Sequence, residues 1–154
     1  MKITLYNNEG LKGHGSAVAE HFIRLSYKSN HARFFQYRNK YILQDWINSI
    51  INNKHLLDKW IFYYDRHKNI IAIGQLSLLN NDNAEIAISV EDDYQYQGYG
   101  KKLVHDLIEL AKECNIKQLY ITCQCINTTM LSILDKYKFT LKQEDREIIG
   151  FLDL

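Results

Sequence analysis

The stretch VEDDYQYQGYGKKLV, from Val90 to Val104, lies between a predicted strand and a predicted helix. Ahead of it, residues 84–90 (AEIAISV) alternate between two faces, which is typical of a half-buried strand. Behind it, apolar residues recur at helical spacing up to about Cys114. Because the chain has only 7 glycines, the pair Gly98 and Gly100 at this junction indicates a structural need.

The junction can be interpreted in two ways. The first turn of a helix leaves backbone N–H groups without partners, and its dipole favours an anion there. Glycine lets an anion approach the backbone, and Lys101 and Lys102 would add local positive charge. A plain turn followed by a helix with ordinary lysines explains the same residues equally well. The third glycine of a dinucleotide fingerprint and the Gly-Lys-Ser/Thr of a P-loop are both absent.

Other elements extend from this junction in both directions. In chain order, the patterns predict helices over 17–26 and 42–51, strands over 60–65, 70–79 and 84–90, a helix over 98–114, a strand over 117–123, a short helix after Asn127 and a closing strand pair. The unit 84–123 is a β-α-β crossover, so its two strands should be parallel neighbours. With no proline, linker or repeat, residues 1–154 are predicted to form one mixed α/β domain.

Composition excludes several classes of protein. Hydrophobic residues make up 46% of the chain, and 19 basic residues balance 18 acidic ones. The apolar content excludes a disordered chain. Because the charges nearly balance, the protein has no strong net electrostatic field that would attract nucleic acid or an anionic membrane. Neither a leader nor an apolar run of about 20 residues is present, which predicts a cytoplasmic protein. The 3 cysteines are expected to be reduced, and the 6 histidines show no ligand spacing, so no metal is expected.

Two segments carry a family resemblance. QYQGYG (95–100) fits the pattern Gln/Arg-x-x-Gly-x-Gly/Ala and resembles the pyrophosphate loop of the GCN5-related N-acetyltransferase (GNAT) superfamily. NTTMLSILDKYKF (127–139) resembles that family's next block, and the element order is similar. Residues 21–35 also look like the first helical segment in bacterial protein-lysine acetyltransferases. The resemblance implies a mostly antiparallel sheet whose parallel strand pair splays apart to form a coenzyme A cleft.

The resemblance also implies a set of contacts with acetyl-CoA. The pantetheine would pair with the backbone of the first strand, and the pyrophosphate would lie on backbone N–H groups of the glycine turn. Gln95 would open the motif, and Asn127 would contact the cofactor, cap its own helix, or do both. The backbone positions implied are Ile88, Ser89 and Val90 for pantetheine, and Tyr96, Gln97, Gly98, Tyr99, Gly100 and Lys101 for pyrophosphate.

The chain departs from the family pattern in three places. Residues 91–93 are acidic where many relatives have a proline, and Lys138 stands where many have a glycine. Leu134 occupies the position of a tyrosine that often protonates the leaving thiolate. The usual general acid is therefore missing from that position.

Glu85 is the candidate general base. An attacking amine with a pKa of about 10.4 must lose a proton, and AEIAISV resembles the lysine acetyltransferase strand that carries a catalytic glutamate. Partial burial would raise its pKa; alternatively, Glu85 is simply a solvated residue on a strand's polar face. A backbone N–H near Val90 would polarise the thioester carbonyl. Cys123 is a poor candidate for an acyl-accepting nucleophile because no activating partner is recognisable.

Three functions remain open from the sequence. The first is an acetyl-CoA-dependent N-acetyltransferase that modifies a primary amine, on a small molecule or a protein lysine, by direct attack in a ternary complex. The second is a non-catalytic acyl-CoA-binding regulatory module, and the third is a nucleotide-binding module. By resemblance, the acceptor would be selected by residues 14–49 and 143–148. A homodimer is also possible by resemblance, because members of the family commonly dimerise.

Overall fold

The computed structural model describes residues 1–154 and contains one seven-stranded mixed sheet flanked by helices. The strand order is β1-β2-β3-β4-β5-β7-β6. The strands are β1 (Lys2–Leu5), β2 (Lys59–Tyr64), β3 (Ile70–Leu78), β4 (Asn83–Val90), β5 (Gln118–Gln124), β6 (Thr140–Glu144) and β7 (Glu147–Asp153). The helices are α1 (Asn8–Leu11), α2 (Gly15–Arg24), α3 (Tyr27–Phe34), α4 (Lys40–Asn52), α5 (Tyr99–Glu113) and α6 (Thr128–Lys136), with 3₁₀ turns at Lys12–His14 and Asp92–Tyr94.

The pair β4–β5 is parallel and every other neighbouring pair in the sheet is antiparallel. The predicted β-α-β crossover is confirmed, with α5 returning the chain over the sheet. The predicted hairpin of β2 and β3 and the closing pair of β6 and β7 are also present. The fold class predicted from the sequence, a mixed and mostly antiparallel α/β sheet, is confirmed.

The prediction was incomplete at the start of the chain. It had no strand before the first helix, whereas β1 pairs with β2 at the edge of the sheet. The helix predicted over 17–26 also ends earlier, at Arg24. Ser26 instead caps the N-terminus of α3, because its side chain accepts a hydrogen bond from the N–H of Ser29.

Two apolar clusters lie on opposite faces of the sheet. A cluster of 20 buried residues joins the sheet to α5 and α6, and a cluster of 13 joins it to α2, α3 and α4. Strand β4 alternates between them as predicted: Ala84 and Ile86 face α5, which leaves Glu85 and Ser89 for the face covered by the N-terminal helices. None of the helices combines the length and apolar character that crossing a membrane requires.

Candidate functional site: a strand gap with two sides

Strands β4 and β5 separate after a short parallel contact. Their register joins only residues 83–85 to residues 118–120, so residues 86–90 of β4 lack a partner on that edge. The N–H of Glu91 donates to the carbonyl of Ile71 on β3. Because backbone groups alternate along a strand, the N–H groups of Ile88 and Val90 point away from β3 and into the gap. The open edge can therefore pair with an extended ligand.

At one end of the gap, six consecutive backbone N–H groups have no partner. None of residues 96–101 donates a backbone hydrogen bond, either to another backbone group or to a side chain. The first N–H of this turn that is satisfied belongs to Lys102, which donates to the carbonyl of Gly98. Free N–H groups at the beginning of the 15-residue helix α5 form a site for an anion.

The two glycines serve different needs. Gly98 has φ +91°, a conformation that strains any residue with a Cβ atom, and it caps α5 without a side-chain hydrogen bond. Gly100 leaves space for α6, because a Cβ there would lie 3.1 Å from Cδ1 of Ile133, which is closer than most Cβ contacts. Tyr96 also adopts a positive φ of 59° and is 86% exposed beside the free N–H groups.

Gln95 holds the turn in place. Its Nε2 donates to the carbonyl of Val90 and to Oγ of Ser29, at 3.0 Å each. The side chain expected to contact the cofactor is thus engaged with the protein, and it ties the turn to β4 and to α3. Nearby, the carboxylate of Asp92 accepts hydrogen bonds from the N–H and Oγ of Ser26 and from Oγ of Ser29. These contacts fix the N-terminal helices against the end of β4.

The side chain of Ser89 faces the helices rather than the gap. Its Oγ lies 2.7 Å from Nε2 of the fully buried His21, whose Nδ1 is 2.9 Å from the carbonyl of Ile70. Glu91 completes this layer through a two-point contact with Arg24. Burial alone would raise the pKa of Glu91, but hydrogen bonds from His21 and Arg24 outweigh it and leave that pKa below its usual value.

Asn127 acts as a helix cap. Its side chain accepts a hydrogen bond from the N–H of Met130, so the capping role weighed at the sequence level is observed. Leu134 is completely buried under β7, where its Cδ1 would lie 3.3 Å from a Cβ on Gly150. Lys138 has φ 62°, a conformation that glycine adopts more easily than lysine. No proton donor stands at Leu134.

A cavity of about 240 Å³ lies on the sheet face opposite α5 and includes Glu85 in its wall. Glu85 is exposed, not partly buried as expected. The other walls include aromatic side chains from α3 and α4, Thr122 of β5 and two arginines, Arg33 and Arg38. The sequence assigned acceptor selection to residues 14–49, but nothing in it singled out these two arginines.

Arg33 is anchored through a relay of polar side chains. One terminal nitrogen (Nη2) donates to Oε1 of Gln75, and Nε2 of Gln75 donates to Oδ2 of the buried Asp58. Burial and the neighbouring Arg38 lower the pKa of Arg33 to about 10, whereas Glu85 and Asp58 act in the opposite direction. Burial also raises the pKa of Asp58.

Cys123 is not activated as a nucleophile. It is buried, and burial together with Cys125 raises the pKa of its thiol to about 11.

A larger cavity of about 410 Å³ lies between α5 and the end of β7, and no residue of β4 or of the glycine turn lines it. Neither Cys123 nor this larger cavity therefore adds to the site at the β4–β5 gap.

Comparisons with known proteins agree with this geometry. A model of the acetyltransferase (GNAT) family matches residues 20–139. The GNAT domain of S. lividans PAT is 16% identical with a TM-score of 0.81, over 99% of this chain and 89% of that one. Ribosomal-protein-S5-alanine acetyltransferase from Vibrio fischeri is 15% identical with a TM-score of 0.76, over 99% and 92% of the two chains.

A third solved structure contains a ligand. Spermidine N-acetyltransferase from Vibrio cholerae, in complex with CoA and spermine, is 14% identical with a TM-score of 0.72, over 99% of this chain and 95% of that one. At these identities the likeness shows the fold alone. No curated protein matches the chain by sequence.

Proposed function

Because this chain belongs to the acetyltransferase (GNAT) family and is an enzyme of the N-acetyltransferase class, we propose that it transfers the acetyl group of acetyl-CoA to a primary amine by direct attack in a ternary complex. The observation that carries the proposal is the run of six unpartnered N–H groups at residues 96–101, beside the open edge of β4. A pyrophosphate and an amide-containing arm satisfy those two features together.

The pantetheine of acetyl-CoA lies along residues 88–90 and adds an extended segment to the open edge of β4. Its amides exchange hydrogen bonds with backbone groups, as a neighbouring strand would do. The pyrophosphate lies on the N–H groups of residues 96–101, and Gln95 and Asn127 support the site by fixing the turn and α6. The side chains of the turn contribute less than its backbone.

The transfer requires one proton to leave the amine. Glu85 accepts that proton, directly or through one water molecule, as the amine nitrogen attacks the thioester carbon. The N–H of Val90 stabilises the oxyanion of the tetrahedral intermediate. When the carbon–sulfur bond breaks, the thiolate of CoA leaves and takes a proton from solvent, because Leu134 offers none.

The proposed scope covers residues 1–154 as a single catalytic domain acting in the cytoplasm. The acceptor classes that the proposal includes are small-molecule amines and protein lysines. Two similar structures illustrate this range by name, since one protein acts on spermidine and another on a ribosomal protein.

Two measurements test the proposal. Isothermal titration calorimetry should show saturable binding of CoA and acetyl-CoA and much weaker binding of ATP. An acceptor screen with acetyl-CoA, read as release of free thiol, should identify at least one amine that is acetylated. Tight ATP binding without CoA binding would refute the donor assignment, and CoA binding without turnover on any amine would indicate a regulatory module.

A further inference from the structure

Arg38 is the most unusual side chain in the acceptor cavity. Its Nε is buried and has no hydrogen-bond partner, and none of its other guanidinium nitrogens donates a hydrogen bond within the chain. A buried donor without a partner is costly, and native proteins leave few of them. An unsatisfied guanidinium that lines a cavity can therefore donate hydrogen bonds to an acceptor group of a ligand bound there.

The position of Arg38 is fixed although its guanidinium is free. Its N–H donates to Oδ1 of Asn30, and its carbonyl accepts from Nδ2 of the same residue, both at 2.9 Å. The guanidinium carbon lies 4.5 Å from the ring centre of Phe34 and 5.5 Å from that of Trp46. Contact with these rings leaves the N–H edge of the guanidinium available for a planar acceptor.

Arg33 brings a second cation to the same wall. Its guanidinium carbon lies 4.8 Å from the ring centre of Phe34, and its one side-chain hydrogen bond goes to the neutral Gln75. Neither arginine forms an ion pair with a carboxylate of the chain. Two adjacent guanidinium groups thus lie in one cavity without a directly bound anion.

The electrostatic consequences agree with this geometry. Burial lowers the pKa of Arg38, and burial together with Arg38 lowers that of Arg33. An anion placed between the two guanidinium groups would relieve their mutual repulsion and restore the solvation that burial removes.

We propose that the amine acceptor also carries a carboxylate, as a free amino acid does, and that Arg38 and Arg33 bind this carboxylate while the amine faces Glu85. The inference rests on the proposed acetyl transfer and names the substrate class of the same site. The cavity of about 240 Å³ suits a small molecule, because pockets for drug-sized ligands span roughly 300–1,000 Å³. Glu85, which also lines the cavity, complements the cationic end of the acceptor, and the arginines complement its anionic end.

A turnover experiment compares each standard L-amino acid with its primary amide, at saturating acetyl-CoA. The amide preserves size and shape but removes the negative charge. It also lowers the pKa of the amine and so raises the fraction of amine that is uncharged and able to attack, which biases the comparison against the proposal. At least one acid should exceed its amide in kcat/KM by about ten- to a hundredfold, as expected for charge-assisted hydrogen bonds.

Arg38→Gln should reduce this acid-to-amide ratio to near one, mainly by weakening the reaction of the acid. Arg38→Lys keeps the charge but loses the planar fork, so an intermediate ratio is expected. Arg66→Gln is the matched control, because Arg66 is exposed in the β2–β3 turn and its substitution should leave the ratio unchanged. Loss of turnover on acids and amides alike would instead indicate a general structural defect.

A binding measurement separates the inference from catalysis. Trp46 lies beside Arg38, and the other tryptophan, Trp60, is fully buried. The difference in fluorescence between wild type and Trp46→Phe therefore gives the emission of Trp46, which lines the cavity. With CoA present, an amino acid should change this signal saturably, and its amide and the Arg38→Gln variant should both bind at least about tenfold more weakly.

The outcomes of the two experiments are distinguishable. Carboxylate-dependent binding without any acetylation would support the inference and contradict the proposed function. Equal turnover of acids and amides, or acetylation confined to spermine or lysine peptides, would overturn the inference and leave the proposed function standing. If no amino acid alters either the fluorescence or the release of thiol, the inference is also overturned.

Discussion

The two sides of the β4–β5 gap are built from different parts of the polypeptide. The proposed acetyl-donor side consists of backbone, namely the open edge of β4 and the free N–H groups of residues 96–101. The proposed acceptor side consists of side chains that α3, α4 and the segment between them bring over the sheet, chiefly Arg33, Arg38 and Trp46, in a cavity that Glu85 also lines. A backbone site tolerates most substitutions that preserve the turn, whereas a side-chain site changes with each substitution.

This difference bears on what a shared fold can indicate about function. Proteins that are only 14–16% identical to this chain keep its fold over nearly its whole length. A site made of backbone depends on the fold and on a few glycines more than on the identity of most side chains. The acceptor is determined by residues that the fold does not specify, so it must be found from this chain's own side chains.

Glu85→Gln is expected to have the largest effect, because it removes the proposed base from the acceptor side without touching the backbone site. The kcat for the best acceptor should fall about 100- to 10,000-fold, while the Kd for CoA should remain unchanged. Thiol-release kinetics and calorimetry measure the two quantities.

Glu113→Gln is the matched control for Glu85→Gln, since Glu113 is exposed at the end of α5 and should leave kcat unaffected. If Glu85→Gln retained full activity, the proton would have to leave by another route. A parallel loss of CoA binding would show that the two sides of the gap are not independent.

Gly98→Ala tests the backbone side and should have the second-largest effect. A Cβ at Gly98 meets nothing within 4 Å, so the whole cost comes from holding alanine at φ +91°. That cost is about 1–2 kcal/mol, and we expect it to appear as a lower free energy of unfolding in urea or as about tenfold weaker CoA binding.

Gly13→Ala is the control for Gly98→Ala. A Cβ at Gly13 also meets nothing within 4 Å, and its φ is not in the left-handed range. The free energy of unfolding and the Kd for CoA should both stay within experimental error of wild type. If Gly98→Ala behaved in the same way, the left-handed turn would not be needed for the anion site.

Most of the local structure of the proposed acetyl-donor side could be predicted from the sequence because its determinants are local. A strand, a glycine turn and a helix follow one another within about 30 residues, and Asn127 marks the next helix. Gln95 was placed correctly at the turn, but its contact with Ser29, 66 residues away, could not be read from spacing. Its interpretation as a cofactor contact therefore remains a prediction beside the observed bracing role.

The acceptor side and the edge of the sheet could not be predicted for the same physical reason. Arg33, Arg38 and Glu85 line one cavity only after α3 and the segment that follows it pack on the sheet, and no periodicity encodes that arrangement. Strand β1 is 4 residues long, and its pairing joins Lys2 to Tyr63, far along the chain. Both features depend on long-range packing, which local patterns do not report.

Asp92→Asn tests the connection between the two sides and should have a smaller effect. Burial alone would raise the pKa of Asp92, but hydrogen bonds from Ser26 and Ser29 outweigh it and leave the pKa below its usual 3.8. The carboxylate thus contributes stability above pH 3.8, and this contribution is lost as the pH falls further, through the folded-state pKa. At pH 7 the variant should lose about 1 kcal/mol of unfolding free energy, and the deficit should shrink in acid.

Asp93→Asn is the control for this pH dependence, because Asp93 is exposed and its carboxylate accepts no hydrogen bond. Urea denaturation of both variants and of wild type, at pH 7 and at pH 3, measures the difference. A constant deficit for Asp92→Asn across this range would contradict the assigned role of its charge.

Replacing both Lys101 and Lys102 by alanine should have the smallest effect, and it asks whether backbone or charge holds the pyrophosphate. Both side chains are exposed, and Lys102 lies over the ring of Tyr99 at 5.4 Å. The substitutions keep every N–H of residues 96–101, so calorimetry should show CoA binding weakened less than about fivefold per lysine, as for surface charges. A much larger loss of CoA affinity, growing at low ionic strength, would show that the lysine charges hold the pyrophosphate. The proposed acetyl-donor side would then depend on side chains, as the proposed acceptor side does.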